Sequence, residues 1–228
     1  MIKRLEYALL ICGFFAFSII PAAHAVPLNG GFESGLDDWG DIGVAQTIDS
    51  SIGSGPTEGA FQAFVVTDPL TTAGDVLGFF GPPVSFSGIS SFSDSGSAIK
   101  QNVVVNAGDI LTFDFNYLTD DRYDFAFFVA DQEAIFLADW FDTGIGSSTP
   151  FRDETGYLPY TYTFLTSGAQ TIGFGVINEF DPRYQSALLI DNVAITTITT
   201  VPLPAALPLM LSGLGMLGFV ARRQQRQV

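Results

Sequence analysis

The chain has 228 residues, 24 of them acidic and 9 basic, for a formal charge of −15, with one cysteine and one histidine. Those two, Cys12 and His24, stand ahead of position 26, so the rest of the chain can supply neither a thiolate nor an imidazole. That excludes Ser-His-Asp and Cys-His nucleophilic catalysis, Cys or His zinc sites and disulfides from everything downstream, and the acid excess argues against nucleic acid and anionic lipid surfaces as partners.

The chain opens with Lys3 and Arg4, an apolar stretch from Tyr7 to Ile20, and Ala23-His24-Ala25. A basic start, a short apolar run and a small-x-small end make an export signal for signal peptidase, so residues 1–25 form a signal helix and the mature chain begins at Val26. Cys12 lies inside the apolar run without a small residue before it, and reads as an ordinary apolar residue rather than a lipidation site.

Residues 26–200 are long enough for one core. Four basic residues remain there (Lys100, Arg122, Arg152 and Arg183) against 23 acidic ones, a charge of −19. Short runs rich in Val, Ile, Phe, Tyr and Thr recur at Phe61–Val66, Ile99–Val105, Ile110–Leu118, Asp124–Ala130, Ala134–Trp140, Tyr160–Leu165, Thr171–Ile177 and Ala187–Ile195, punctuated by Gly, Asn, Asp, Ser and Pro. In Ile110–Leu118 the period of two puts Leu111, Phe113, Phe115 and Tyr117 in the core and Thr112, Asp114 and Asn116 in water. Ile172, Phe174 and Val176 share one side of a later strand, with Gly173 and Gly175 opposite. No segment keeps a helical period over three turns, and Gly74–Gly96 reads as a long loop plus an edge strand. The fold class is all-β, an antiparallel β-sandwich of jelly-roll-like form.

At the domain's borders, Asn29-Gly30-Gly31-Phe32-Glu33 followed by Gly35-Leu36 and Trp39, Gln101-x-Val103 with Ala107-Gly108-Asp109, and the closing Leu189-Ile190-Asp191-Asn192-Val193 resemble jelly-roll carbohydrate-binding modules and their surface-protein relatives. The resemblance implies first and last strands side by side, sharing a structural Ca²⁺ for which Glu33 and Asp191 would be ligands. Hard oxygen ligands and an extracellular setting are compatible with that ion. The residues alone equally read as a turn cap at Glu33 and a polar strand step at Asp191-Asn192.

A second acidic group, Asp120, Asp121 and Asp124 with Asp131 and Glu133 after the next run, is a candidate calcium or ligand site if the sheet brings its members together, and otherwise a set of solvated loop residues. Its spacing is not that of an EF-hand. The aromatic candidates for a binding platform are Trp39, Trp140, Tyr123, Tyr157, Tyr160 and Tyr184. Trp39 follows the opening motif and reads as core; Trp140, beside Asp139 and Asp142, reads as exposed. Trp140, Tyr123, Asp121 and Asp124 are therefore the candidate ligand-binding residues.

The tail opens with Val201-Pro202-Leu203-Pro204-Ala205-Ala206, runs apolar to Val220 and closes on Arg222, Arg223 and Arg226. At about 1.5 Å per residue, Leu203–Val220 forms a helix of roughly 27 Å, close to a bilayer's hydrocarbon thickness. It is apolar all round and contains Ser212, Gly213, Gly215 and Gly218, which membrane helices tolerate. The arginines stop transfer and keep the end cytoplasmic. The proline motif, the Ser212-Gly-Leu-Gly-Met-Leu-Gly-Phe run and the arginines resemble the PEP-CTERM sorting domain of Gram-negative bacteria. That resemblance implies cleavage near Pro204 by an exosortase, an inner-membrane-anchored precursor, and delivery to the cell surface or extracellular matrix.

The function expected first is a non-catalytic structural or adhesive module of that matrix, with exopolysaccharide as a partner and the membrane only a transient one. The alternative is a calcium-dependent carbohydrate-binding module. A glycoside hydrolase ranks third: it needs only two carboxylates at a defined separation, and no pair is singled out.

Overall fold

The alternating runs pair into two antiparallel sheets. The computed structural model describes residues 27–81, 93–147, 150–180 and 184–197, with single positions 214 and 222. The signal helix expected over 1–25, the sorting residues Val201–Ala206, Arg223 and Arg226, and nearly all of the expected membrane helix lie outside the described residues.

The strands are β1 (Gly40–Ile42), β2 (Val44–Ile48), β3 (Gln62–Val66), β4 (Ser93–Val105), β5 (Ile110–Thr119), β6 (Phe125–Ala130), β7 (Glu133–Asp139), β8 (Ile145–Gly146), β9 (Asp153–Glu154), β10 (Leu158–Thr163), β11 (Gly168–Glu179) and β12 (Ala187–Thr196). One sheet runs β1-β4-β11-β6-β7, the other β2-β3-β12-β5-β9-β8, with β10 pairing the other half of β5's free edge. From β4 onward the chain changes sheet at β5, β6, β8, β11 and β12. This jelly-roll-like alternation brings the loops of both sheets to the same two ends of the sandwich.

The main core lies between the sheets, where Leu111, Phe113, Phe115 and Tyr117 of β5 meet Ile172, Phe174 and Val176 of β11 and Leu188 and Ile190 of β12. Rings interlock at its centre: the Phe113 centroid lies 4.8 Å from Phe174 and 5.3 Å from Phe128. The opening motif plugs this core. Asn29 donates from Nδ2 to the Gly35 and Asp37 carbonyls and accepts from Ser34 N–H, closing a turn. Phe32 is thereby sunk beside Trp39, with centroids 5.3 Å apart. Gly30 bonds through its carbonyl to Val193 N–H at 2.9 Å, and a Cβ on Gly30 would stand 2.0 Å from the Val193 carbonyl oxygen, so glycine is required by close approach. The segment touches the last strand through a turn and not as a strand of its own.

Two expectations are corrected. The start of Gly74–Gly96 is not a loop: Ala73–Phe80 is a helix, α1, while Ser93–Gly96 begins β4, pairing there with β11 and, at Ser95, through a lone bridge with Thr72; residues 82–92 lie outside the described residues. Thr72 caps α1, accepting from Asp75 N–H, while Asp75 accepts from Thr72 N–H in return. Val76 and Phe80 pack the helix on the outer face of the first sheet against Ala98, Phe127, Val129 and Ile177. Gly173 and Gly175 make room there, since a Cβ at either would come within 2.4 Å of the Phe80 or Phe127 ring. Asn116, expected in water, is fully buried. The loop between β2 and β3 folds over the outer face of the second sheet, so β5 is covered on both sides.

The glycine contacts generate a stability prediction. Gly175→Ala overpacks the Phe127 ring and lowers stability by about 1–3 kcal/mol, read as a drop in calorimetric melting temperature; an unchanged melt would show that the helix layer repacks freely.

Candidate functional site: an aromatic rim at one end of the sandwich

At the end where β5, β7 and β11 finish and β6 and β12 begin, the connections carry a set of exposed rings. Tyr123 comes from the β5–β6 turn, Phe141 from the 3-10 turn Trp140–Asp142 after β7, and Phe180 and Tyr184 from the β11–β12 connection. Tyr123 and Phe180 pack edge to face with centroids 4.9 Å apart, as do Trp140 and Phe141 at 5.3 Å. Trp140 is half-buried, and the Arg122 guanidinium lies 5.0 Å from its ring centroid, a cation–π contact that fixes both. Asp139 accepts from Phe141 N–H at 2.7 Å and Asp142 accepts from Asp139 N–H at 3.1 Å, which holds the 3-10 turn and presents Phe141, 73 % exposed. Arg152 Nε pairs with Asp120 Oδ1 at 3.2 Å on the flank.

Beneath the rings the end is locked by buried polar groups. Asp124 is fully buried: Oδ1 accepts from Glu179 N–H at 3.1 Å and Oδ2 from the Ser186 hydroxyl at 2.6 Å. Ser186 Oγ is also 2.6 Å from Thr119 Oγ1, and its backbone exchanges hydrogen bonds with Thr67. Asp121, also buried, accepts from Tyr123 N–H at 3.0 Å. Burial, with Asp124 nearby, pushes the Tyr117 phenol well above its ordinary pKa and keeps it neutral. The candidates thus divide. Tyr123 and Trp140 stand on the rim, whereas Asp121 and Asp124 face inward and shape it.

The other aromatic candidates are elsewhere. Trp39 is core, Tyr160 stacks on Phe113 at 5.3 Å, and Tyr157 lies under the β2–β3 loop, donating to Gln62 Oε1. Phe141 and Phe180 were not legible as site residues, because phenylalanine in a β-rich chain reads as core. The second acidic group does not assemble. Asp131 follows β6, a strand of six residues and about 20 Å at 3.3 Å per residue, at the end opposite Asp120–Asp124. Asp131 instead holds the β10–β11 connection, accepting from Tyr162 Oη and Leu165 N–H at 2.8 Å and Thr166 Oγ1 at 2.6 Å. Burial opposes its ionisation, but these donors outweigh burial and hold its pKa below the usual carboxylate value.

Glu33 and Asp191 are brought to one loop, as acceptors of main-chain donors. Glu33 Oε1 accepts from Ala60 and Phe61 N–H at 2.7 and 2.9 Å. Asp191 Oδ2 accepts from Thr57 and Glu58 N–H at 2.7 and 2.8 Å, and Oδ1 from Asn192 N–H at 2.8 Å. Burial raises the Asp191 pKa despite these bonds. Directly opposite on β5, Asp114 accepts the Thr57 hydroxyl at 2.8 Å and Asn192 Nδ2 at 3.2 Å. A calcium ligand needs lone pairs free to face the ion, and here N–H dipoles point their positive ends at these oxygens. The amide donors account for Glu33 Oε1 and for both Asp191 oxygens without a metal. Among the described residues no three His, Cys, Asp or Glu side chains group as metal ligands.

The fold is an antiparallel β-sandwich with a sorting tail: residues 200–224 match the PEP-CTERM protein-sorting motif, which marks an exported protein processed at the membrane. Among the described residues no helix is long and apolar enough to cross a membrane. A comparison with curated proteins finds no match. Among solved structures, the chain is similar to a carbohydrate-binding module, TmCBM61, in complex with β-1,4-galactotriose (13% identity, 75% of this chain and 96% of that one, TM-score 0.40). It is also similar to a cleaved adhesin domain of Lys-gingipain from Porphyromonas gingivalis (12%, 78% and 99%, 0.45) and to a family 16 carbohydrate-binding module (10%, 74% and 97%, 0.38).

Because amide donors occupy the Glu33 and Asp191 carboxylates, the melting temperature of the full chain is expected to be the same in excess EDTA and excess CaCl₂. A rise with calcium would demonstrate a site that binds the folded state and would contradict the amide assignment.

Proposed function

We propose that this protein is a non-catalytic, exported module that binds neutral polysaccharide of the extracellular matrix through the aromatic rim. The observation that carries this reading is the collection of exposed rings (Tyr123, Phe141, Phe180 and Tyr184) at one end of the sandwich, with Trp140 beside them. Large exposed apolar groups gathered in one place mark an interaction surface. The C–H faces of a pyranose pack on such rings, while Asp139, Asp142 and Arg122 around them offer polar partners to hydroxyls. The chain's charge of −15 disfavours uronate-rich or phosphorylated polymers and leaves neutral chains as the fitting class. The sorting motif supports processing by an exosortase and release at the surface, where such polymers are found. A glycan ranks ahead of the purely structural role because a scaffold has no need of exposed rings held by Asp124, Asp121 and Arg122.

The rim is tested with exopolysaccharide recovered from the producing cells and with neutral β-glucans, measured by calorimetry on the full chain in detergent. Binding of at least one neutral polymer, weakened roughly tenfold by Trp140→Ala, corresponds to the loss of about 1.4 kcal/mol expected of one ring, with no new reducing ends formed during incubation. Equal affinity of wild type and Trp140→Ala for every polymer would overturn the reading.

A further inference from the structure

Behind Tyr184 a small cavity of about 10 Å³ is lined by Thr67, Pro69, Ser95, Asn178, Tyr184 and Gln185. It lies at the rim end, between the start of β4 and the finish of β11, where Ser95 and Asn178 are paired in register. Asn178 is 1 % exposed. Its Nδ2 donates to the Tyr184 carbonyl at 3.0 Å, while its Oδ1 has no hydrogen-bond partner. Leaving a buried amide oxygen unpaired costs stability, and few native groups are left so. The volume is that of one water or one hydroxyl group.

Resting on the glycan-binding reading above, we propose that this cavity is a hydroxyl socket: one hydroxyl of a bound sugar enters beside Tyr184 and donates to Asn178 Oδ1. The Ser95 and Thr67 side chains, both buried in the wall, line the space the hydroxyl oxygen enters. Tyr184 links socket to rim, because its ring is exposed beside Phe180's connection while its carbonyl fixes the Asn178 amide. The rings supply area without discrimination; the socket supplies selectivity. A site built around a buried acceptor rejects a ligand that lacks the donor, because the acceptor then stays unpaired. The class taken is a neutral sugar with a free, projecting hydroxyl. An O-methylated one is refused, since a methyl ether has no proton to donate and exceeds the volume. The same oxygen can instead be satisfied by a resident water, and the two sources give different results.

The test uses the full chain and two forms of one probe, the producing cells' exopolysaccharide untreated and exhaustively O-methylated. Ser95→Thr fills the cavity with one methyl group and leaves the Asn178 amide and the rim untouched; Asn178→Ala removes the acceptor. Melting temperatures confirm folding, and Ser95→Thr carries the test if Asn178→Ala does not fold. The proposal expects Ser95→Thr to bind the untreated polymer about three- to tenfold more weakly, the worth of one neutral hydrogen bond, and wild type to favour the untreated form over the methylated one. Wild-type affinity in Ser95→Thr, with Trp140→Ala still impaired, would overturn the socket and leave the rim standing, assigning the cavity to water. Absence of binding by wild type to the polymer would overturn socket and rim together.

Discussion

Loops that cross the face of a β-sandwich leave main-chain N–H groups without ladder partners, and each needs an acceptor. In this chain carboxylates supply many of them, and the rest of the architecture hangs on that substitution. Three acids from three different elements, Glu154 of β9, Asp191 of β12 and Glu33 of the opening turn, take the amides of Ser54, then Thr57 and Glu58, then Ala60 and Phe61, in order along one loop. The loop is thereby laid across the outer face of the second sheet, pressing Gly53 against Leu118 and Leu189 and sealing Asn116, Gln62 and Tyr157 beneath it. Elsewhere Asp109 ties the β4–β5 turn, Asp131 the β10–β11 connection, and Asp121 and Asp124 the rim. The high acid content, which by itself is compatible with mere solubility, is in large part structural. A domain without disulfides is stitched by side-chain oxygens.

That stitching also defines what the site can be. Carboxylates turned inward toward amides serve first as acceptors for the backbone. What they leave on the surface is aromatic. Tyr123 is exposed because Asp121 turns its amide inward, and Phe141 because Asp139 and Asp142 wind the short 3-10 turn around it. The rim is held by the same interaction that holds the long loop.

The sandwich was legible in the sequence because its main strands obey local rules. The period-two pattern of Leu111, Phe113, Phe115 and Tyr117 needs no knowledge of partners, and those four do lie between the sheets. What was not legible is non-local. Asn116 is buried beside Glu154, whose carboxylate accepts from its Nδ2 and from Ser54 of a loop some sixty residues earlier, and α1 is short and interrupted by Gly74 and Gly78, so its period never emerges. The short strands β1, β2, β8 and β9 are not legible because each has five residues or fewer and carries no clear alternation. At the site, tryptophan and tyrosine are candidates by residue type, whereas Phe141 and Phe180 differ from core phenylalanines only by position. The direction of a carboxylate, toward a ligand or toward an amide, is set by chain neighbours distant in sequence, as Asp191 with Thr57 and Glu58 shows.

Native-state hydrogen exchange on the full chain reads the central claim directly, since amides donating to buried or half-buried acceptors exchange only when the structure opens. Protection is expected at Ser54, Thr57 and Glu58 without added metal, with Asp191→Ala releasing Thr57 and Glu58 while the buried Glu154 still protects Ser54. Exchange of all three at the rate of an open loop, or protection that appears only when calcium is added, would contradict it.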